Sequence, residues 1–251
     1  MKKFVLVSGV DPNTNLDLID EEIIRITGKP NPKMLFIPVA SGDSISYCDR
    51  YKNIYEGKFK RSMDILNLFT QSPNEHEIRE KVFAADIVYI GGGPTVRLME
   101  YFNKFNMKSI LMEAVEKGIV IAGISACSIC WGKHYFHAEE PKDFAMTGFK
   151  DYIKVDCMGY FDFLLCPHYN LVGYSQRINA TINEYKMLGI ALDNNCALEI
   201  IDDTYRIITC KEGAKAYALH LKDGEIIKEA IEKKYEFSDI KELISVAKIS
   251  N

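Results

Sequence analysis

The 251-residue chain has no long hydrophobic run. Its longest apolar stretch, around GIVIAGISAC, spans about ten residues, against the ~20 that a bilayer-crossing helix needs, so no membrane partner is expected. The N-terminal MKKFVLVSGVDPN superficially resembles a secretion signal. Its apolar part stops at Asp11 and no small-x-small cleavage site follows, so it reads as a buried first strand. Neither sign of charge dominates: 31 Lys and Arg against 35 Asp and Glu leave a formal charge of -4. That balance gives no reason to expect nucleic acid as a partner. A disulfide framework fits less well than reduced thiols, because the seven cysteines are odd in number, scattered, and set partly inside apolar runs. Reduced thiols in a cytoplasmic protein fit that usage. There is no repeat, low-complexity tract or linker, so residues 1–251 read as a single domain.

Short apolar runs alternate with amphipathic ones. KKFVLVS (2–8), KMLFIPV (33–39), MDILNLF (63–69), DIVYIGG (86–92) and GIVIAGIS (118–125) read as strands bounded by Gly, Pro, Asn or Asp. Their nearly continuous apolarity predicts burial on both faces, as in a parallel sheet covered by helices. Helices are predicted over 15–28, 72–85, 95–106 and 107–118. This alternation predicts a doubly wound, mostly parallel α/β sheet with ligand-binding loops at the strand C-termini. After residue 186 the runs GIALDNNCALEII, TYRIITC, AKAYALHL and EIIKEAI are separated by short turn signals. They predict a C-terminal antiparallel meander, a small β appendage, followed by a helix over SDIKELISVAK.

Chemistry concentrates in AGISACSICW at 122–131. A serine at a tight strand-to-helix corner, G-x-S-A, is the form of a nucleophile elbow. The hydroxyl stands over the sheet edge and the next residue's N–H helps bind an oxyanion. The same stretch also reads as a small-residue corner chosen only for close packing. A third reading takes Cys127, Cys130, His134 and His137 as zinc ligands, although one short segment would then have to wrap a tetrahedral ion.

A serine nucleophile needs a base, a group to orient it, and oxyanion donors. Of the five histidines, His168 stands at the end of the apolar run FDFLLCPHYN, where its imidazole can reach the sheet edge. His134 and His137 are expected near the end of the elbow helix. The run VYIGGGPTVRLME puts three glycines between a strand and a helix, leaving backbone N–H groups accessible. It lacks both G-x-G-x-x-G spacing and a following Lys-Ser/Thr pair, so an oxyanion cradle is preferred over a nucleotide site and no cofactor is expected.

Taken together, YIGGGPTVRLM, GISA and CPHYN, in this order and over 36–201, resemble the peptidase E family. That resemblance implies a class I glutamine amidotransferase-like, flavodoxin-like fold and metal-free hydrolysis of small peptides through an acyl-enzyme. In the founding members the substrates are dipeptides with N-terminal aspartate. Carried over, Ser125 is the nucleophile and His168 the base; Ala126 and one of Gly92 or Gly93 supply the oxyanion hole. Glu140, before a proline, matches the acid of one branch of the family, with Asp193 and Asn194 as fallback orienters. Arg177, Pro94 and Tyr169 are the substrate-side candidates, Arg177 being equally readable as a solvated helix charge. The expected assembly is a monomer or homodimer.

Three positions depart from the family pattern. Pro94 replaces an Asn and suits a first helical position, Cys127 replaces a Gly and puts a side chain at the helix start, and Asn194 stands where one branch has Glu. They motivate an alternative function, a member without catalysis that binds a small ligand or partner.

Overall fold

The computed structural model describes residues 1–137, 153–232 and 236–248. Five parallel strands form its centre: β1 (Lys3–Val7), β2 (Met34–Ile37), β3 (Met63–Ile65), β4 (Ile87–Ile90) and β5 (Val120–Ile124). They lie in the order β1-β5-β4-β2-β3. Each was legible as an apolar run, which the structure shortens; the run 63–69 keeps only Met63–Ile65 as strand, with Leu66 and Leu68 buried beyond its end. Alternation along β1 shows why the strands are apolar throughout. Phe4 and Leu6 enter a core with Trp131, Ile110 and Leu198, whereas Val5 and Val7 enter a second core with Ile19, Ile23 and Tyr55.

Helices cover both faces, as such a sheet requires. On the Phe4 side lie α3 (Glu75–Ala84), α4 (Thr95–Lys104) and α5 (Met107–Glu116); α1 (Asp17–Arg25) and α2 (Ile45–Lys52) cover the other. Asn74 caps α3 through a reciprocal box with Glu77, satisfying two helix-end donors. Pro94 is the residue before α4, one residue earlier than the first helical position expected for it. Helix α2 was not anticipated. Its buried residues are Cys48 and Tyr51, with Tyr55 following in the turn beyond its end, so no aliphatic spacing marks it.

The expected meander is redistributed. The run GIALDNNCALEII is two strands, β9 (Gly189–Leu192) and β10 (Cys196–Ile201), in different sheets. Strand β10 pairs antiparallel with β1, and β11 (Thr204–Thr209) and β14 (Ser238–Asp239) extend that eight-stranded sheet. Strand β9 instead pairs parallel with β8 (Leu164–Cys166) and antiparallel with β12 (Ala216–Lys222), which carries β13 (Glu225–Ile231). The appendage is therefore integral to the fold: the Asp193–Asn195 corner turns the chain from one sheet into the other. Helix α7 (Tyr174–Tyr185) packs on the smaller sheet through Ile178 and Ile182, and α8 (Ile240–Lys248) closes the described chain.

Past β5 the chain turns at Ser125 into the short α6 (Ala126–Cys130) and then into β6 (His134–His137), which pairs antiparallel with β7 (Ile153–Asp156). His134 and His137 thus lie on a strand and not on the elbow helix. Cys127 is fully buried, with its Sγ donating to the Ala122 carbonyl at 3.5 Å. Its side chain points into the core and is not among the residues that line the cleft beside Ser125. Among the described residues no helix is long and apolar enough to cross a membrane. Cys127→Ala removes a packed sulfur and is expected to lower stability by about 1 kcal/mol, read by urea or thermal unfolding. An unchanged midpoint would contradict the core placement.

Candidate active site

Ser125 adopts φ 57° and ψ -105°, a conformation sparsely populated by any residue with a side chain. The elbow is held by the end of β1: the Ser125 N–H donates to the Val7 carbonyl at 2.9 Å and lies 3.1 Å from that of Ser8. Ser128, one turn on, donates its hydroxyl to the same Val7 carbonyl at 2.7 Å. The nucleophile candidate is thus lifted over the sheet edge, with Ala126 N–H at the unpaired start of α6.

His168 follows β8 with φ 58°, a second left-handed residue. Its N–H donates to Ser8 Oγ at 2.7 Å, and Ser8 Oγ donates in turn to the Leu192 carbonyl at 2.8 Å. The imidazole Nε2 is 2.9 Å from Ser125 Oγ, and Nδ1 is 2.7 Å from Asn194 Oδ1. Asn194 Nδ2 donates to Asp11 Oδ1 at 2.9 Å, and Lys211 donates to Asp11 Oδ2 at 2.6 Å. The chain of contacts fixes the protons. Ionised Asp11 can only accept, so the Asn194 NH2 faces it and the amide oxygen faces His168. Nδ1 therefore carries the hydrogen, and the Nε2 lone pair faces the serine hydroxyl.

Burial pushes the His168 pKa below its ordinary value, with Arg177 adding in the same direction; the Asn194 bond and the Asp11 charge oppose them. The imidazole is accordingly neutral near pH 7, the state a base requires. Lys211 and Asn194 together hold Asp11 below the usual carboxylate range. Gly9 provides room for this arrangement. A Cβ there would lie 2.3 Å from His168 Cε1 and 2.4 Å from Asn194 Oδ1.

Ser125, His168 and Gly92 border a cleft of 310 Å³, which Tyr47, Arg50 and Asp20 also line. Burial raises Asp20 to about 7, with Tyr55 donating to its carboxylate at 2.8 Å. Gly93 has φ 144°, and a Cβ on it would come within 2.4 Å of the Ala40 carbonyl oxygen, so only glycine fits. Gly92 lies against the serine: a Cβ on it would be 3.3 Å from Ser125 Cβ. The Gly92 N–H donates to Tyr47 Oη at 3.0 Å.

Other candidates fall elsewhere. Arg177 is buried on α7, bonded to the Tyr135 hydroxyl and stacked 4.7 Å from the Tyr174 ring centroid. It is neither a solvated charge nor part of the cleft lining, because those aromatic partners hold it inside. Tyr169 packs on Tyr217 at 5.3 Å between centroids, also outside that lining. Pro94 is exposed at the α4 cap. Asp193 accepts from the Lys215 N–H instead of from His168, and Glu140 lies outside the described residues. The four zinc candidates do not converge. Cys130 donates to the Cys127 carbonyl, and His134 stacks 3.9 Å from Tyr185 with Nδ1 3.0 Å from Asp156. Among the described residues no group of three or more His, Cys, Asp or Glu side chains is placed to hold a metal ion.

Ser8, Gly9, Asp11 and Tyr47 were not singled out from sequence. The first three had a usable signal: S-G-x-D directly follows a buried parallel strand, where a doubly wound sheet places its site.

The family model for peptidase family S51 matches residues 4–208. A protein of Bacillus subtilis (strain 168), named as the uncharacterized peptidase YgaJ, is 30% identical over 251 aligned residues, covering 94% of this chain and 99% of its own. Peptidase E of Shewanella denitrificans is 25% identical over 214 residues, covering 82% of this chain and 85% of its own. Among solved structures, a peptidase from an acI-B1 actinobacterium matches with a TM-score of 0.73 at 17% identity, over 95% of this chain and 97% of that one. That last likeness is one of fold.

The hydrogen-bond chain has a titratable consequence. His168 is expected to titrate below its ordinary 6.5, measured by NMR of the imidazole. Asp11→Asn keeps an acceptor for Asn194 but removes the charge that favours imidazolium, so the midpoint should fall further. A rise would contradict the geometry.

Proposed function

The chain belongs to peptidase family S51, and we propose that it is a serine-type hydrolase of small peptides, acting through an acyl-enzyme on Ser125. The observation that carries this reading is the run of contacts from Ser125 Oγ through His168 to Asn194, set on a strained elbow. In the first step the Ser125 oxygen bonds to the substrate carbonyl carbon. Its proton passes to His168 Nε2, and the carbonyl π pair moves onto oxygen. Ala126 N–H is the first donor to that oxyanion, and the Gly92–Gly93 loop borders the same space. Collapse breaks the C–N bond and His168 returns the proton to the departing amine. Water, deprotonated by the same imidazole, then bonds to the acyl carbon; the bond to Ser125 Oγ breaks, and His168 returns the proton to that oxygen as the acid leaves.

Asn194 holds the imidazole in the productive tautomer, and Asp11 supplies the negative charge one bond further out. A cleft of 310 Å³ lies at the small end of ligand pockets and suits a substrate of dipeptide size. Arg177 is engaged with Tyr135 and Tyr174, so the expected substrates are small peptides without a required N-terminal aspartate. The alternative of a non-catalytic binding protein loses two of its motives: Cys127 is core, and Asn194 is backed by a carboxylate. A cytoplasmic setting accompanies the proposal, supported by seven cysteines that are all free thiols.

A fluorophosphonate probe should label the protein, and Ser125→Ala should abolish labelling and cut dipeptide turnover about 10⁴-fold or more. Labelling that survives Ser125→Ala, or none at all, would refute the reading. Gly9→Ala is compatible with the backbone there but displaces His168. Turnover is expected to fall about 10²-fold, as a displacement of an ångström can cost, while circular dichroism stays unchanged. Full activity in that variant would show that the His168–Gly9 contact does not matter.

A further inference from the structure

Tyr47 lies on α2, in the wall of the cleft that Ser125, His168 and Gly92 also line. Its ring packs edge-on against Phe36 at 5.4 Å and Tyr51 at 5.1 Å. It also presses against Gly91, where a Cβ would come within 2.9 Å of Tyr47 Cε1. The hydroxyl is thereby set against the glycine loop, accepting the Gly92 N–H at 3.0 Å.

Two features of this contact matter. First, a Gly92 N–H already bonded to a phenol oxygen does not point at an empty oxyanion position. Second, the neighbouring tyrosines use their hydroxyl protons within the core: Tyr51 donates to Tyr89 at 3.1 Å and Tyr55 to Asp20 at 2.8 Å. The Tyr47 hydroxyl also interacts with that of Tyr51, but among the described residues it forms no hydrogen bond as a donor within 3.5 Å, its one close bond being the one it accepts from Gly92. Burial raises its pKa, so the group keeps that proton at neutral pH.

We propose that the Tyr47 hydroxyl is the second oxyanion donor of this site, acting with Ala126 N–H, and that the Gly92 N–H serves by bonding to the phenol oxygen behind it. This rests on the serine-hydrolase reading above. As Ser125 Oγ bonds to the carbonyl carbon and the π pair moves to oxygen, the Tyr47 proton is donated in a hydrogen bond to that oxygen without transfer. The Gly92 N–H, by polarising the phenol, strengthens the donation. When the carbonyl re-forms and the C–N bond breaks, the donor returns to its resting state, so no proton is gained or lost at Tyr47.

Tyr47→Phe separates this role from the alternatives by the sign of its effect. The substitution keeps the ring packing, deletes the hydroxyl and leaves the Gly92 N–H free. If Tyr47 is the donor, fluorophosphonate labelling of Ser125 slows about 10²-fold, as for loss of one oxyanion donor. On a p-nitrophenyl ester kcat falls by the same factor with KM little changed. The preference for the oxygen ester over its thiono analogue also shrinks, which a purely structural role would not produce. If labelling is unchanged or faster, the Gly92 N–H is itself the donor and Tyr47 merely covers it; the proposal is then overturned. Should the Phe variant be unstable, 3-fluorotyrosine at position 47, a stronger donor of nearly the same shape, must accelerate labelling at pH 6.5, and no change overturns the proposal. Wild-type protein without Ser125-dependent labelling removes the hydrolase reading itself. Wild-type labelling matched by Tyr47→Phe removes only the role of Tyr47.

Discussion

The hydrogen bond from Ser125 N–H to the Val7 carbonyl ties the strained elbow to the exit of β1. A serine at φ 57° and ψ -105° costs of order 1–3 kcal/mol and persists only if its surroundings fix it. The exit of β1 does so repeatedly. Val7 also accepts from Ser128, the next residue's hydroxyl accepts from the His168 N–H, and the Gly9 carbonyl accepts from the Asn195 N–H at 2.8 Å. Nucleophile, base and orienter come from three distant parts of the chain, and all three are referenced to Val7–Gly9. The central strand, deepest in both cores, is the stiffest reference the fold offers, which is why strain at Ser125 and His168 can be held in place.

An amide where a carboxylate would be expected changes the electrostatics without dismantling the site. A carboxylate directly against a half-buried imidazole would stabilise the imidazolium by about 4 kcal/mol at 4 Å and an effective dielectric of 20. It would also pay the desolvation of a charge next to the Asn194 position, which is only 5% exposed. Here the charge sits on Asp11, at the rim, where Lys211 pairs with it. Its attraction falls in inverse proportion to the separation from the imidazole, and Lys211 reduces it again. The imidazole is left less basic, in agreement with the downward direction of its pKa. The arrangement favours a neutral base in the resting state over a strongly stabilised cation in the transition state.

The sequence exposed the parts of this design that depend on local pattern. Ser125 and His168 were legible because each ends an apolar strand, and the glycine loop because three glycines have little other use between a strand and a helix. What stayed hidden depends on partners far along the chain. Asp11 and Asn194 are 183 positions apart, and neither has a local reason to seek the other. The run GIALDNNCALEII is apolar on both sides of its turn, so periodicity cannot say that its halves join different sheets; only the available strand edges decide that. Tyr47 was missed because α2 and the turn after it bury Cys48, Tyr51 and Tyr55 rather than aliphatic residues, and the polar hydroxyls disguise the helical period.

That disguise has a physical use. Tyr47, Tyr51 and Tyr55 recur every four residues and so share one face of the chain as it leaves α2. Tyr51 stacks on Phe36 at 4.4 Å, and Tyr51 and Tyr55 both pack against Tyr89. Aliphatic residues would have buried the face as well, but they would carry no groups whose direction matters. With aromatic rings the packing fixes where each hydroxyl points: inward from Tyr51 and Tyr55, and toward the glycine loop from Tyr47. A donor positioned this way is already oriented before substrate arrives, and the absence of reorganisation is what gives fixed dipoles their value in a water-poor site. The hydrophobic core on this side of the sheet therefore does two jobs with one set of rings, holding α2 against β2 and β4 and aiming a hydroxyl at the cleft.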